Sequence, residues 1–309
     1  MKYMPVVWKT RSDGVRQRFN ITPKRKEAVR LYKNGLVSRK VAEKLGISHA
    51  RVLKILKLEG VERRSITKPI LNPYHKKLTE SRAYILGVMC GDGCVFSGIE
   101  RKKKWEFKSY IVYLAVKDKD FLDEFVRHSK VVYGVEPRLY YRIRKKKKWS
   151  NIWIARYKRK SVHEDLAPYN FGGSTWKVPE EIINSDDEKI IAAFLRGFYD
   201  SEGSVSVYDK KISIVVCSTS KDGMQGVREL VGRLGIKAAS IGKENRKDRR
   251  KQCYYFSIYT MDDAKKYLSK VGFSIKRKVD KIRSYIDRLD EDEQRSKPSG
   301  PDMQVVRAA

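Results

Sequence analysis

Two short stretches constrain this chain more than anything else in it: ILGVMCGDG at 85–93 and LRGFYDSEG at 195–203. Each reads as an apolar helix that runs into an acid and then a glycine. Tyr84, Ile85, Leu86, Val88 and Met89 make the first apolar nearly all round; Ile191, Phe194, Leu195, Phe198 and Tyr199 do the same for the second. Helices of that kind are buried. Small residues four apart, Gly87 and Gly91 in one and Gly197 and Ser201 in the other, let two helix backbones approach closely. Packed side by side and in parallel, the helices bring their C-terminal ends together, and Asp92 faces Glu202 across a pseudo-twofold axis. Both acids then oppose a helix macrodipole and repel each other. A bound divalent cation relieves both costs, and carboxylate oxygens suit Mg²⁺.

Each stretch opens a half with the same order of elements. After the first come the strand composition of WEFKSYIVYLAV (105–116), a helix over DKDFLDEFVRHSKVVYG, and a hairpin from EPRLYYRIR and WSNIWIARY around KKKK. The helical SVHEDLAPY closes that half. After the second come the hairpin GSVSVYDKKISIVVCS and the helix SKDGMQGVRELVGRLGI. The strands KAASIGK and QCYYFSIY then flank a basic loop, and the helix MDDAKKYLSKVG ends the half. Corresponding points lie roughly 100 to 110 residues apart, so the chain reads as an α+β fold with an internally duplicated αββαββα unit.

The region ahead of the halves is different. Thr22-Pro23 reads as an N-cap followed by proline at the first helical position, and that helix stops at Gly35. Ser38 caps a second helix through Leu45, Gly46 turns the chain, and Ser48 caps a third helix ending before Gly60. Leu31, Val41, Ala42, Leu45, Val52, Ile55 and Leu56 fall at core spacing. The expected division is a basic arm at 1–20, a small all-α unit at 21–66 and a linker at 67–82. The halves follow at 83–187 and 188–290, and a flexible tail occupies 291–309.

The net charge is +32, from 69 Lys+Arg against 37 Asp+Glu. An excess of that size implies a polyanionic partner, nucleic acid before a ribosomal or anionic-lipid surface. Residues 1–66 carry 18 Lys+Arg against 5 Asp+Glu. No apolar run approaches the roughly 18 residues of a membrane span. Four cysteines without a C-x-x-C pair, and four histidines, argue against zinc and for a reducing, cytoplasmic setting. Abundant Lys, Arg, Glu and Tyr suit a thermophile, consistent with a prokaryotic, archaeal, nucleoid-associated protein.

The two stretches resemble the paired LAGLIDADG motifs of the homing endonuclease family, position for position over Ile85–Gly93 and Leu195–Gly203. The resemblance covers roughly residues 83–290. Its eighth position, Asp92 and Glu202 here, is the family's metal ligand, and Gly91 and Ser201 complete the expected metal set. At the sixth position Asp200 keeps the usual aspartate and Cys90 departs from it. The resemblance implies a monomeric two-motif nuclease whose sheets form a saddle on double-stranded DNA, with Mg²⁺ or Mn²⁺ as cofactor. Two alternatives share that fold: a DNA-binding regulator without cleavage and an RNA maturase bound to intron RNA. The family places lysines around its active site, and two pairs match by position, Lys117 with Lys221 and Lys177 with Lys276. The initial Met and the lack of a terminal His-Asn read as a free-standing gene rather than a self-splicing intein.

The small helical unit resembles helix-turn-helix domains, with Ala42, Gly46 and Val52 at the small–glycine–apolar spacing. Its third helix then carries Ser48, His49, Arg51 and Lys54 toward DNA. In the hairpins, Arg142, Arg144, Asn151, Trp153, Arg246 and Arg249 are the expected readers of bases and phosphates.

Overall fold

The computed structural model describes residues 7–10, 16–19, 22–62, 71–102, 105–144, 150–208, 211–244 and 252–296. The chain divides into two compact units, Met1–Ile66 and Thr67–Ala309.

The first unit opens with two antiparallel strands, β1 (Val7–Thr10) and β2 (Arg16–Phe19), with Val7 opposite Phe19. The segment read as a plain basic arm thus contains a strand pair. Val7, Trp8, Thr10 and Phe19 are strand formers too few to show periodicity. Three helices follow, α1 (Thr22–Lys33), α2 (Ser38–Leu45) and α3 (His49–Leu58). Ala28, Leu31, Tyr32, Val41, Ala42, Val52, Ile55 and Leu56 form their core, with Leu45 partly buried against it. Gly46 ends α2 in the left-handed region at φ 59°, a conformation that glycine adopts without a Cβ penalty. Ser48 caps α3 by accepting the Arg51 N–H at 3.2 Å. Ser38 is not a cap: Val37 holds that position, and Ser38 is the first helical residue. Its hydroxyl instead shares a 3.0 Å hydrogen bond with His49 Nε2.

The second unit is built twice on one plan. The first half runs α4 (Glu80–Cys90), β3 (Gly93–Lys102), β4 (Trp105–Val116) and α5 (Lys119–Tyr133). It continues with β5 (Arg138–Arg142), β6 (Ile152–Tyr157) and α6 (Lys160–Leu166), then a short turn of 3₁₀ helix and α7 (Glu180–Ile183). The second half runs α8 (Glu188–Glu202), β7 (Gly203–Tyr208), β8 (Lys211–Ser218), α9 (Lys221–Arg233), β9 (Gly242–Glu244), β10 (Cys253–Ile258) and α10 (Met261–Lys270). The final helix, α11 (Lys276–Ser296), extends past residue 290, where the tail was expected to begin. Each half contributes a four-stranded antiparallel sheet, ordered β3-β4-β6-β5 and β7-β8-β10-β9. The matching orders bear out the α+β class and the duplication.

One apolar core runs through both halves, and most of α4 and α8 is buried in it. Residues 71–79, read as linker, pack against α5: the Asn72 N–H donates to Tyr133 O at 3.2 Å. Arg82 in the first turn of α4 is 4 % exposed. Its guanidinium bonds both oxygens of buried Asp165, at 3.0 and 3.2 Å, and the carbonyl of His75 at 2.8 Å. A bidentate pair with further hydrogen bonds to its terminal nitrogens is the form in which a buried charge is tolerated.

Candidate active site at the paired helix ends

The contact between α4 and α8 is made by glycine. A Cβ placed on Gly87 would strike the carbonyl of Phe194 and lie 2.9 Å from Phe198 N. One on Gly197 would strike the carbonyl of Tyr84 and lie 2.9 Å from Val88 N. Tyr84 and Phe194 hold equivalent places in the two motifs, so the contact is reciprocal across a pseudo-twofold axis. Farther along, Gly91 faces Ser201. Positions rise together along both helices, so they run parallel and their C-terminal ends meet. Ser201 Oγ donates to Gly197 O at 3.2 Å and to Val88 O at 3.4 Å. The hydroxyl of Ser201 and the bare Cα of Gly91 therefore serve the helix interface.

Asp92 lies in the turn after α4, and Glu202 is the last residue of α8. Asp92 is an exposed residue, yet the surrounding protein partly desolvates its carboxyl and pushes it up to about 6. Glu202 is pushed up to about 7, by burial first and then by the charge of Asp92. Among the described residues no group of three or more His, Cys, Asp or Glu is placed to hold a metal. The donors at the helix ends are thus two mutually repelling carboxylates at the negative poles of two dipoles. That set fits one or more hard divalent cations whose remaining positions are filled by backbone, water or phosphate oxygens.

A lysine that the sequence reading missed lies within electrostatic reach of both acids. Lys278, in the first turn of α11, is 5 % exposed. Its Nζ donates to the carbonyls of Tyr199 and Asp200 at 3.0 and 2.9 Å, so it caps the last turn of α8. Its charge favours the ionised forms of both Asp92 and Glu202, while burial pulls its own pKa down to about 8. The signal was present in the sequence: Ile275, Lys278, Ile282 and Tyr285 fall on one buried stripe, and a lysine on such a stripe needs a partner.

The four lysines chosen by position are all exposed. Lys276 is exposed, and its backbone N–H donates to Asp120 Oδ2 at 2.7 Å. Lys177 is exposed and pairs with Asp222 at 3.4 Å. Lys221 is the exposed first residue of α9, after its cap Ser220. The cap of α5 is Asp118, so Lys119 is the counterpart of Lys221, and Lys117 lies outside the helix. These residues belong to a reciprocal clasp. The segment after the first half's last strand–helix pair grips the start of α9: Ser220 Oγ donates to Trp176 O at 2.5 Å. The segment after α10 grips the start of α5 through Arg277, whose guanidinium bonds both oxygens of Asp118 at 2.8 Å.

The two sixth positions differ with their surroundings. Asp200 is buried and accepts hydrogen bonds from Tyr84 Oη and Ser274. Its twofold counterpart Cys90 is buried beside the motif that carries Phe194 where the other has Tyr84. Burial pushes the Cys90 thiol above its usual range. A polar pair on one side is thus an apolar pair on the other.

The outer face of the first sheet is basic and aromatic. Register places Tyr140 opposite Ile154 and Arg142 opposite Ile152, with Arg138 opposite Arg156. The Arg156 guanidinium lies 4.6 Å from the Tyr140 ring centroid and donates to its hydroxyl at 2.9 Å. Arg138 and Arg156 were not anticipated. Trp153 belongs to the opposite face, where it packs on the core and against Tyr141 with centroids 4.5 Å apart. Asn151 closes the hairpin instead of projecting from it: it accepts the Arg144 N–H at 3.0 Å and donates to Tyr141 Oη at 3.1 Å. Arg246 and Arg249 lie outside the described residues. In the first unit, Arg51 and Lys54 are on α3, with Lys54 exposed, while His49 is half-buried and engaged with Ser38.

Residues 189–272 match the family described as LAGLIDADG-like domain. The matched stretch lies within the second half, whose sheet order the first half repeats. The uncharacterized proteins MJ0314 and MJ0398 of Methanocaldococcus jannaschii are 29 % and 28 % identical to it. Those alignments span 63 % and 67 % of this chain and 71 % and 72 % of the relatives. Among solved structures, I-DmoI in complex with DNA and Mn is similar at 16 % identity over 63 % of this chain and 98 % of that one, with a TM-score of 0.45. Among the described residues no helix is long and apolar enough to cross a membrane.

Proposed function

We propose that this protein is a monomeric, metal-dependent endonuclease that hydrolyses both strands of duplex DNA at a specific site. The observation that carries the reading is the pair of desolvated acids, Asp92 and Glu202, where two glycine-packed helices end together beside buried Lys278. Asp92 and Glu202 would hold Mg²⁺ or Mn²⁺, which when bound supplies Lewis-acid stabilisation of phosphate oxygens and an acidified water. Lys278 holds positive charge near the carboxylates and would stabilise the charge that develops on the phosphate. The basic outer face of the first sheet, with Arg138, Arg142 and Arg156, suits phosphate contacts, and Tyr140 suits base or sugar contacts. Residues 21–66 would act as a helix-turn-helix through Arg51 and Lys54 and lengthen the recognised site. The exposed lysines 117, 177, 221 and 276 would anchor DNA phosphates rather than act at the bond that breaks.

The test begins with a pool of randomised duplexes, from which the protein selects its site. The selected duplex, placed in a plasmid, is then incubated with and without Mg²⁺. Linearisation that needs the metal and disappears in Asp92→Asn and Glu202→Gln supports the reading. Tight binding without cleavage under Mg²⁺, Mn²⁺ or Ca²⁺ overturns it and leaves a DNA-binding regulator. Preferential binding of structured RNA over every duplex leaves a maturase.

A further inference from the structure

The two halves stop being alike at Asp200. Its carboxylate accepts Tyr84 Oη at 2.8 Å, Ser274 Oγ at 2.6 Å and the Ser274 N–H at 2.9 Å, and its own carbonyl accepts Lys278 Nζ at 2.9 Å. Tyr84 comes from α4 of the first half, Asp200 from α8, and Ser274 from the segment that leads into α11. Asp200 is 2 % exposed, and Tyr84 is fully buried with its ring stacked on His128 at 4.3 Å. Lys278 is thus gripped from both sides of one residue: through the chain just ahead of α11 and directly by a carbonyl.

Among the described residues of the other half nothing equivalent is placed. The motif counterparts of Tyr84 and Asp200 are Phe194 and Cys90, which have neither hydroxyl nor carboxylate. Matching Lys177 with Lys276 puts Thr175 in the place of Ser274 and Pro179 in the place of Lys278. Pro179 has no side-chain donor at all. One buried lysine therefore serves a pair of acids that symmetry alone would supply with two.

We propose that Tyr84, Asp200 and Ser274 are positioning residues that latch Lys278 beside the acid pair on one half only, so that one strand of the duplex is cut before the other. The second clause rests on the nuclease reading. Each cut adds one water across a P–O bond, leaving a terminal phosphate on one side and a hydroxyl on the other. The proton lost by the attacking water is balanced by the one taken up by the leaving oxygen. A lysine held near one scissile phosphate and not the other lowers one barrier more than the other.

Two measurements test this. In the first, the two strands of a supercoiled plasmid carrying the selected site are followed separately. The wild-type protein is expected to build up a nicked circle with the break always in the same strand. Tyr84→Phe, which installs the side chain its counterpart already has, is expected to slow that cut by about tenfold while the other cut and the DNA affinity stay unchanged. Equal slowing of both strands, or none, overturns the unequal cuts. The second measurement needs no activity: acylation of lysine amines at pH 8, read by peptide mass. Lys278 is expected to react far more slowly than Lys276 in the wild-type protein. In Tyr84→Phe and Ser274→Ala it should react several-fold faster, at a temperature where both variants remain folded by circular dichroism. Unchanged labelling overturns the latch. A wild-type protein that cuts neither strand overturns the nuclease reading and the unequal cuts with it, while the labelling still decides the latch.

Discussion

Lys278 shows what a single side chain can do when the fold buries it against carbonyls. Lys278→Met removes the charge but keeps the stem that fills the stripe on α11. It is expected to lower kcat by about 10²-fold with little change in DNA affinity, measured by single-turnover cleavage beside equilibrium binding. The acids it faces make stability depend on pH in a definite direction. Asp92, Asp200 and Glu202 are pushed up to about 6, 6 and 7, above their ordinary carboxylate values. The folded state then binds more protons than the unfolded one between about pH 4 and 7, so this contribution to stability falls as pH rises through that window. The metal-free protein should melt a few degrees lower at pH 8 than at pH 5.5, about 2–6 °C by calorimetry. Mg²⁺ should raise the melting temperature more at pH 8, where protons no longer compete for the carboxylates. Asp92→Asn should remove part of both effects.

The helix pair makes its own demand at the scale of the element. Gly87 and Gly197 each stand against the backbone of the facing helix, which cannot yield as a flexible side-chain tip can. Gly87→Ala is expected to cost about 3 kcal/mol and to reduce metal binding, because the helix ends must separate. Gly232, inside α9 with open space around its Cα, is the contrast. Gly232→Ala is expected to stabilise the protein by about 0.5–1 kcal/mol through helix propensity. Chemical denaturation of the two variants side by side separates packing from propensity. Much at this scale was legible in advance, since an apolar helix with small residues at i and i+4 has few other ways to be buried. The clasp was not. Asp118–Arg277 and Asp222–Lys177 join residues distant in sequence whose types are common in a chain this charged.

For the whole molecule the governing quantity is charge. Residues 1–66 hold +13 of the net +32. Deleting them is expected to weaken DNA binding, shorten the footprint and flatten the dependence of log Kd on log salt, because fewer counterions are released. An unchanged footprint and salt slope would show that this unit does not touch the DNA. The fold class, the duplication, the three-helix unit and the acid pair all follow from patterns local in sequence: apolar period, caps, glycines and a repeated order of elements. Such patterns survive in one dimension because each reflects how a residue meets neighbours a few positions away. What only the tertiary structure decided is which charged groups were withdrawn from water and against what. Trp153 turned inward because register pairs it with buried Val116. Lys276 stayed outside while Lys278, two residues on, went in. Burial and partner set the energy of a charge, and both depend on segments that meet only when the chain is folded.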